Sequence, residues 1–319
     1  KGETRRTRTF MKIQEGCNAF CTYCVIPYGR GPSRSLPISQ IIAQVRSLVR
    51  DGVHEIILTG TNIGDYGADW ADGVQLENLI AAILSETELE RLRVSSLDPI
   101  EISPRLLELM TLEPRFCPHF HVSLQSPHSR ILKLMKRKYT ATQVEQTLRQ
   151  IARVPSREAG PVFVGMDVIT GFPGETLEEF EWGLNCLREL PWARLHVFPY
   201  SERAGTPATR LPGSVSPAER DRRARALKKL SEEKLRAFYE EMLGAPRVEH
   251  VLLENRTTGP DGRQGWVPGY SRNYARFLIP PELAPAGDLT NARVCLVPGQ
   301  LRYEESAGDF AIIARGYYG

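Results

Sequence analysis

Nowhere in the 319 residues does an apolar run reach the roughly 18 side chains a membrane-spanning helix needs, so no membrane association is expected. Cysteine is scarce: six in a chain of this size do not make the disulfide framework of a small secreted domain, and a reducing, cytoplasmic location is expected. Net charge is nearly absent too. At +3 the chain as a whole exerts little attraction on a polyanion, so any such partner must be met by local clusters. The chain opens on Lys1 instead of Met and shows no secretory leader, which reads as a fragment or a processed form.

What charge there is lies unevenly. Residues 1–40 hold seven cations (Lys1, Arg5, Arg6, Arg8, Lys12, Arg30, Arg34) against Glu3 and Glu15. Arg130, Lys133, Lys136, Arg137 and Lys138 form a second cluster, and RDRRARALKK from Arg220 to Lys229 a third. Each is either a nucleic-acid contact or a solvated helix face.

Short β-branched runs alternate with segments of helical period. TFMKIQ, EIILTG, LRVSSL, FHVSLQ, VFVGMDVITG and RLHVFPYS read as strands, with amphipathic helices such as ISQIIAQVRSLVR and ATQVEQTLRQIARV between them. That alternation predicts an α/β fold built as a partial (β/α)6 barrel over residues 1–215. Residues 216–244 read as one long linking helix. Residues 245–319 turn to short β segments punctuated by Gly, Pro and Asp, which predicts a small all-β barrel. Its Tyr270, Tyr274 and Phe277 are suited either to stacking on bases or to packing in a small core.

Three of the six cysteines fall within eight positions, Cys17, Cys21 and Cys24, in GCNAFCTYCVIPYGRG. Clustered thiolates in a reducing compartment hold zinc or an iron–sulfur cluster. Structural zinc takes four protein ligands, and no fourth stands at metal-site spacing. Cys117, Cys186 and Cys295 sit singly in apolar stretches and read as core residues. Three thiolates on a 4Fe–4S cluster leave one iron open to a substrate or cofactor.

The C-x3-C-x2-C spacing, with Tyr23 just before the last cysteine, resembles the radical S-adenosylmethionine (SAM) family. RTFMKIQEGC, CTYCVIPYGRGPSRS, LTGTNIGDYG, LKLMKRKYT, GFPGETLEEF and HVFPYSERAGTPA together resemble its methylthiotransferases. The likeness is nearest the branch acting on threonylcarbamoyladenosine in tRNA, and the last β segment resembles an RNA-binding TRAM domain. A local departure is QSPHS, where Pro127 replaces the usual glycine after Gln125–Ser126.

The resemblance implies that Cys17, Cys21 and Cys24 ligate a 4Fe–4S cluster whose open iron chelates SAM. It places SAM against Tyr23, the Thr59–Gly60–Thr61 turn, Ser96, Ser123, Gln125, Asp167 and the Phe198–Pro199–Tyr200 segment. It implies methylthiolation of the adenine ring of N6-threonylcarbamoyladenosine next to the anticodon, with a tRNA anticodon stem-loop as partner and flavodoxin or ferredoxin as electron donor. Isopentenyladenosine tRNA or a ribosomal protein are alternative substrates, and an RNA-binding module with a structural zinc is an alternative class. Arg30 and Arg34 are suited to substrate phosphate or carboxylate, or to pairing with barrel carboxylates. Full-length relatives carry an auxiliary 4Fe–4S cluster on three further N-terminal cysteines. That set is missing here, so one cluster, SAM binding and no complete methylthiolation are expected of this stretch alone.

Overall fold

The computed structural model describes residues 7–155, 160–304 and 308–318. Lys1, Arg5 and Arg6 of the first basic cluster therefore lie outside the described residues. Six parallel strands form the first half of the chain: β1 (Arg8–Glu15), β2 (Glu55–Gly60), β3 (Arg91–Val94, resumed at Ser96–Leu97), β4 (His119–Gln125), β5 (Phe163–Thr170) and β6 (Arg194–Pro199). β3 is broken at Ser95: its first part pairs with β2 and its second with β4, which bends two four-stranded sheets into one curved wall. Among the described residues β6 pairs only with β5, and β1 pairs on its far side only with Arg34–Ser35. The wall is thus a half-barrel, open between β1 and β6.

Its residue pattern follows from having helices outside and a lumen inside. Along β4 burial alternates strictly: Phe120, Val122 and Leu124 are buried under helices, while His119, His121, Ser123 and Gln125 share the opposite, lumen face. The covering helices α1 (Ile38–Arg50), α2 (Leu76–Glu86), α3 (Pro104–Leu112), α4 (Ala141–Ile151) and α5 (Leu177–Glu189) each bury one stripe, such as Ile41, Ile42 and Val45 on α1. Their starts are marked in the sequence. Ser103, Thr140 and Thr176 accept the N–H of the third helical residue at 3.1–3.3 Å, contributing about 1 kcal/mol each.

Pro127, the local departure, seats its ring in a notch left by Gly183 on α5, where an added Cβ would lie 2.5 Å from the Pro127 ring. Alanine is worth about 1 kcal/mol over glycine in a helix, but overpacking costs about 1–3 kcal/mol. Gly183→Ala is expected to lower the melting temperature despite the better propensity; a thermal melt that rises instead would show the notch is loose.

The long helix α6 (Pro217–Leu243) lies along β6, its Ser231 hydroxyl accepting the Leu195 N–H at 2.8 Å. The third basic cluster is divided: Arg222, Arg225, Lys228 and Lys229 are exposed, whereas the other two arginines are buried. Arg220 and Arg223 turn inward to Glu202 and Glu175, and Arg222 pairs with Glu219. The far end of α6 contributes Leu235, Phe238, Tyr239 and Met242 to a second core.

That core belongs to a separate, mostly antiparallel sheet: β7 (Val248–Leu253), β8 (Gln264–Tyr270), β9 (Arg276–Ile279), β10 (Arg293–Glu304) and β11 (Asp309–Tyr318). The spatial order is β8-β9-β11-β10-β7, and β7 pairs back on β8, closing a small barrel. It is fastened beneath the half-barrel by buried ions. Glu55 on β2 accepts from Arg91 Nε at 2.6 Å and Arg93 Nε at 3.0 Å. The same guanidinium groups donate to the carbonyls of His250, Tyr270, Ser271 and Arg272. Arg8 adds a 2.7 Å bond to the Tyr274 hydroxyl and a 2.5 Å pair with Glu254.

Of the two readings for the aromatics, packing is the one observed. Phe277 is fully buried in the small barrel, and Tyr274 is tilted against the His119 ring at 4.9 Å. Tyr270 lies under the Arg8 guanidinium at 4.5 Å.

Candidate functional site

Parallel half-barrels build sites at the C-terminal ends of their strands, and the cysteine loop leaves the C-terminal end of β1. Gly16 makes the departure possible. Its φ is +78°, and a Cβ there would lie 1.9 Å from the Pro32 carbonyl oxygen, so no other residue fits the turn. Cys17 N–H then bonds Gly31 O at 3.1 Å, closing the loop at its base. Its far side is clamped by Thr22, whose N–H and hydroxyl donate to Met135 O and Leu134 O at 3.1 and 2.8 Å. Ala208 N–H meets Thr22 O at 2.9 Å.

Each sulfur faces one donor. Ala19 N–H points at Cys17 Sγ (3.4 Å), Ile26 N–H at Cys24 Sγ (3.4 Å), and Arg137 Nη1 at Cys21 Sγ (3.1 Å). Such donors stabilise thiolates. Burial, with Asp65 and the other two thiols adding to it, pushes the Cys17 thiol up. Crowded thiolates repel, and a bound cationic centre relieves that repulsion. Among the described residues, no three His, Cys, Asp or Glu side chains converge on one point where a single ion would sit.

Beside the loop lies a cavity of about 340 Å³ lined by Tyr23, Gln125, Asp167, Phe198, Pro199, Tyr200 and Arg203. Tyr23 and Tyr200 both pack edge-on against Phe172, at 6.2 and 5.3 Å. The buried Tyr200 hydroxyl has no hydrogen-bond partner among the described residues. Asp167 Oδ1 meets His121 Nε2 at 2.9 Å, below which a second lumen cavity of about 350 Å³ contains Ser96, His119, His121 and His196. Burial and the neighbouring Arg93 and His121 push His119 well below its ordinary value, so its ring is neutral at pH 7.

The structure thus brings together most, but not all, of the residues expected to meet SAM. Ser96 lines the lower cavity. Ser123 sits on β4, its carbonyl accepting the Tyr139 hydroxyl. Thr59, Gly60 and Thr61 lie at the end of β2, where Gln14 Oε1 accepts the Thr61 and Asn62 N–H groups at 3.1 and 3.0 Å. Gly60 is required there, since a Cβ would come 2.7 Å from Gln14 O. Arg30 and Arg34 are exposed; Arg30 pairs with Glu15 at 2.9 Å, and Arg34 reaches Arg30 O at 3.4 Å.

Two charged residues at the site escape a sequence reading. Asp98, just past the end of β3, pairs with Arg137, which the sequence shows only as one cation in a basic run. Nearby Glu101, half-buried and beside Asp98, is pushed up to about 8 by desolvation and the neighbouring carboxylate.

The sequence matches the description "Radical SAM superfamily" over residues 11–185. The chain belongs to the radical SAM superfamily. Among curated proteins it is similar to "Threonylcarbamoyladenosine tRNA methylthiotransferase MtaB" of Aquifex aeolicus, 40% identical over 78% of this chain and 59% of the relative. The protein of that name from Bacillus subtilis is 35% identical over 86% of this chain and 60% of the relative. "tRNA-2-methylthio-N(6)-dimethylallyladenosine synthase" of Methylobacillus flagellatus is 33% identical over 89% of this chain and 63% of its own length. The chain therefore spans about three fifths of the curated relatives it matches. Among solved structures, the radical SAM methyltransferase TsrM of Kitasatospora setae shares the fold at TM-score 0.52 and 17% identity, over 63% of this chain and 38% of that one. Among the described residues no helix is long and apolar enough to cross a membrane.

Proposed function

We propose that this radical SAM chain is the catalytic and RNA-docking part of a cytoplasmic tRNA methylthiotransferase acting on the adenine ring of N6-threonylcarbamoyladenosine beside the anticodon. The observation that carries the reading is the cysteine loop, three sulfurs each facing an N–H donor at the rim of a half-barrel. Three thiolates on one loop suit a 4Fe–4S cluster, where each takes a different iron and the fourth iron stays open. When bound, the cluster and SAM supply a deoxyadenosyl radical able to take hydrogen from an unactivated carbon.

The rest of the task falls to the chain's own residues. Tyr23, Phe198, Pro199 and Tyr200 offer apolar contact to an adenosyl group, and the partnerless Tyr200 hydroxyl a hydrogen bond to it. Asp167, fixed by His121, is placed to accept from a ribose hydroxyl or the ammonium of SAM. Gln14 holds the Thr59–Thr61 turn in shape beside the loop. Exposed Lys136 and Lys138, flanking the loop's clamp, suit the phosphates of an anticodon stem-loop. Reduced flavodoxin or ferredoxin would deliver the electron.

No second trio of cysteines shares a loop: Cys117 is buried beneath the sheet, Cys186 lies on α5 and Cys295 on β10. Residues 1–319 are therefore expected to bind one cluster and leave methylthiolation incomplete, since by resemblance the sulfur comes from an auxiliary cluster.

The substrate is tested by mass spectrometry of tRNA nucleosides from cells with and without the full-length gene. Accumulation of threonylcarbamoyladenosine lacking its methylthio group is the expected result. The dimethylallyl-type relatives favour a second reading, and accumulation of unmethylthiolated isopentenyladenosine would decide for it. Unchanged tRNA nucleosides would remove tRNA as the substrate.

A further inference from the structure

We propose that Arg137 is a positioning residue that raises the reduction potential of the cluster, acting through the sulfur of Cys21. The proposal rests on ligation of that cluster by Cys17, Cys21 and Cys24.

The three sulfurs are not equivalent. Cys17 and Cys24 face neutral backbone N–H groups, whereas Cys21 faces a full cation at 3.1 Å. Cys21 is also the buried one of the three. The guanidinium is held on every side. Nη2 pairs with Asp98, and Nε donates to the Tyr139 hydroxyl at 3.0 Å. That hydroxyl is fixed in turn by the Ser123 and Leu124 carbonyls of β4. The Arg137 side chain is only 8% exposed, so the charge is weakly screened.

Reducing a cluster adds negative charge to it and its sulfurs. A fixed cation against one sulfur favours the reduced form, and hydrogen bonds to cluster sulfurs and net charge are among the levers that set such potentials. Asp98 holds the cation in place but also opposes it, because its own negative charge disfavours reduction. Removing either partner therefore moves the potential in opposite directions. A purely structural contact would not give this sign reversal.

The test uses anaerobically reconstituted wild type, R137Q, R137K and D98N, with iron counted and the cluster potential read by EPR at poised potentials. R137Q is expected to lower the reduced-to-oxidised ratio at fixed potential about tenfold, a shift of about 59 mV for a one-electron couple. R137K, keeping the charge but not the fork, should shift it less, and D98N should shift it upward. An unchanged potential in R137Q with full iron, or a D98N shift in the same direction as R137Q, overturns the proposal. Should R137Q fail to hold a cluster, the D98N and R137K shifts decide the sign alone. A wild type that takes up no iron overturns the cluster reading itself, a different result from a cluster whose potential ignores Arg137.

Discussion

Cys21→Ser is expected to take the anaerobically reconstituted protein from about four irons per chain to background, with loss of its brown colour, while the iron-free forms of variant and wild type melt at the same temperature. The separation of the two readouts follows from how the loop is built. Its shape is set by backbone and hydroxyl bonds, Cys17 N–H to Gly31 O, Thr22 to Leu134 and Met135, and Ala208 to Thr22 O, and none of them uses a thiol. Removing the sulfur therefore removes a ligand and leaves the clamp. Cys21 is the most demanding of the three positions, because the residue is 7% exposed and no water-borne ligand replaces it easily. Cys117→Ser serves as the contrast: that residue is fully buried, its thiol pushed up by burial, and it should keep its full iron content. Iron retained in Cys21→Ser would show that the cluster sits elsewhere. About one zinc per wild-type chain, in a colourless protein, would replace the radical SAM mechanism with a structural metal.

The half-barrel was legible in the sequence because its signals are local. EIILTG buries both faces and reads as a continuous apolar run, whereas HFHVSLQ alternates, and both patterns follow from one strand's immediate surroundings. Ser103 before Pro104 announces α3 in the same way. The break at Ser95 does not announce itself, because which neighbour each half of β3 pairs with is decided by the curvature of the whole wall. Nor does the extension of β10 to Glu304, which runs through Pro298 and Gly299 by means of a bulge.

Charge shows the limit most clearly. Arg220 and Arg222 stand two apart in one run, and a sequence counts both as basic surface. One is buried against Glu202 and the Tyr200 carbonyl, the other lies outside on Glu219. The face of a helix can be read from its period, but whether a carboxylate waits opposite depends on another element. Arg137 is the same case with functional weight, since its partners Cys21 and Asp98 come from two distant segments. The cysteine trio, by contrast, was legible because all its members lie on one loop, and Tyr23 came with it.

Glu55→Gln is expected to cost about 3–5 kcal/mol, the range for breaking a buried ion pair, and to lower the melting temperature by roughly 6–10 °C at about 2 °C per kcal/mol. Glu55 is fully buried, and burial alone would push its carboxyl up; Arg93 and Arg91 overcome this and hold it at about 2. Glutamine keeps the shape but leaves two guanidinium groups buried without their counter-charge. Replacing the arginines by apolar residues offers no escape, because they also satisfy the carbonyls of His250, Tyr270, Ser271 and Arg272 on the small barrel. The damage should therefore fall on the joint between the two parts, and limited proteolysis between Leu243 and Val248 should accelerate in the variant. The pH dependence has a definite sign. A carboxyl lowered from an ordinary value of 4.5 to about 2 contributes stability that is complete above pH 4.5 and lost as pH falls toward 2. Wild type should thus lose this share of its stability across that window, while Glu55→Gln, already without it, should show a flatter acid limb. Equal acid limbs would mean that Glu55 does not hold the joint, and the small barrel would then depend on Arg8, Tyr274 and the apolar end of α6.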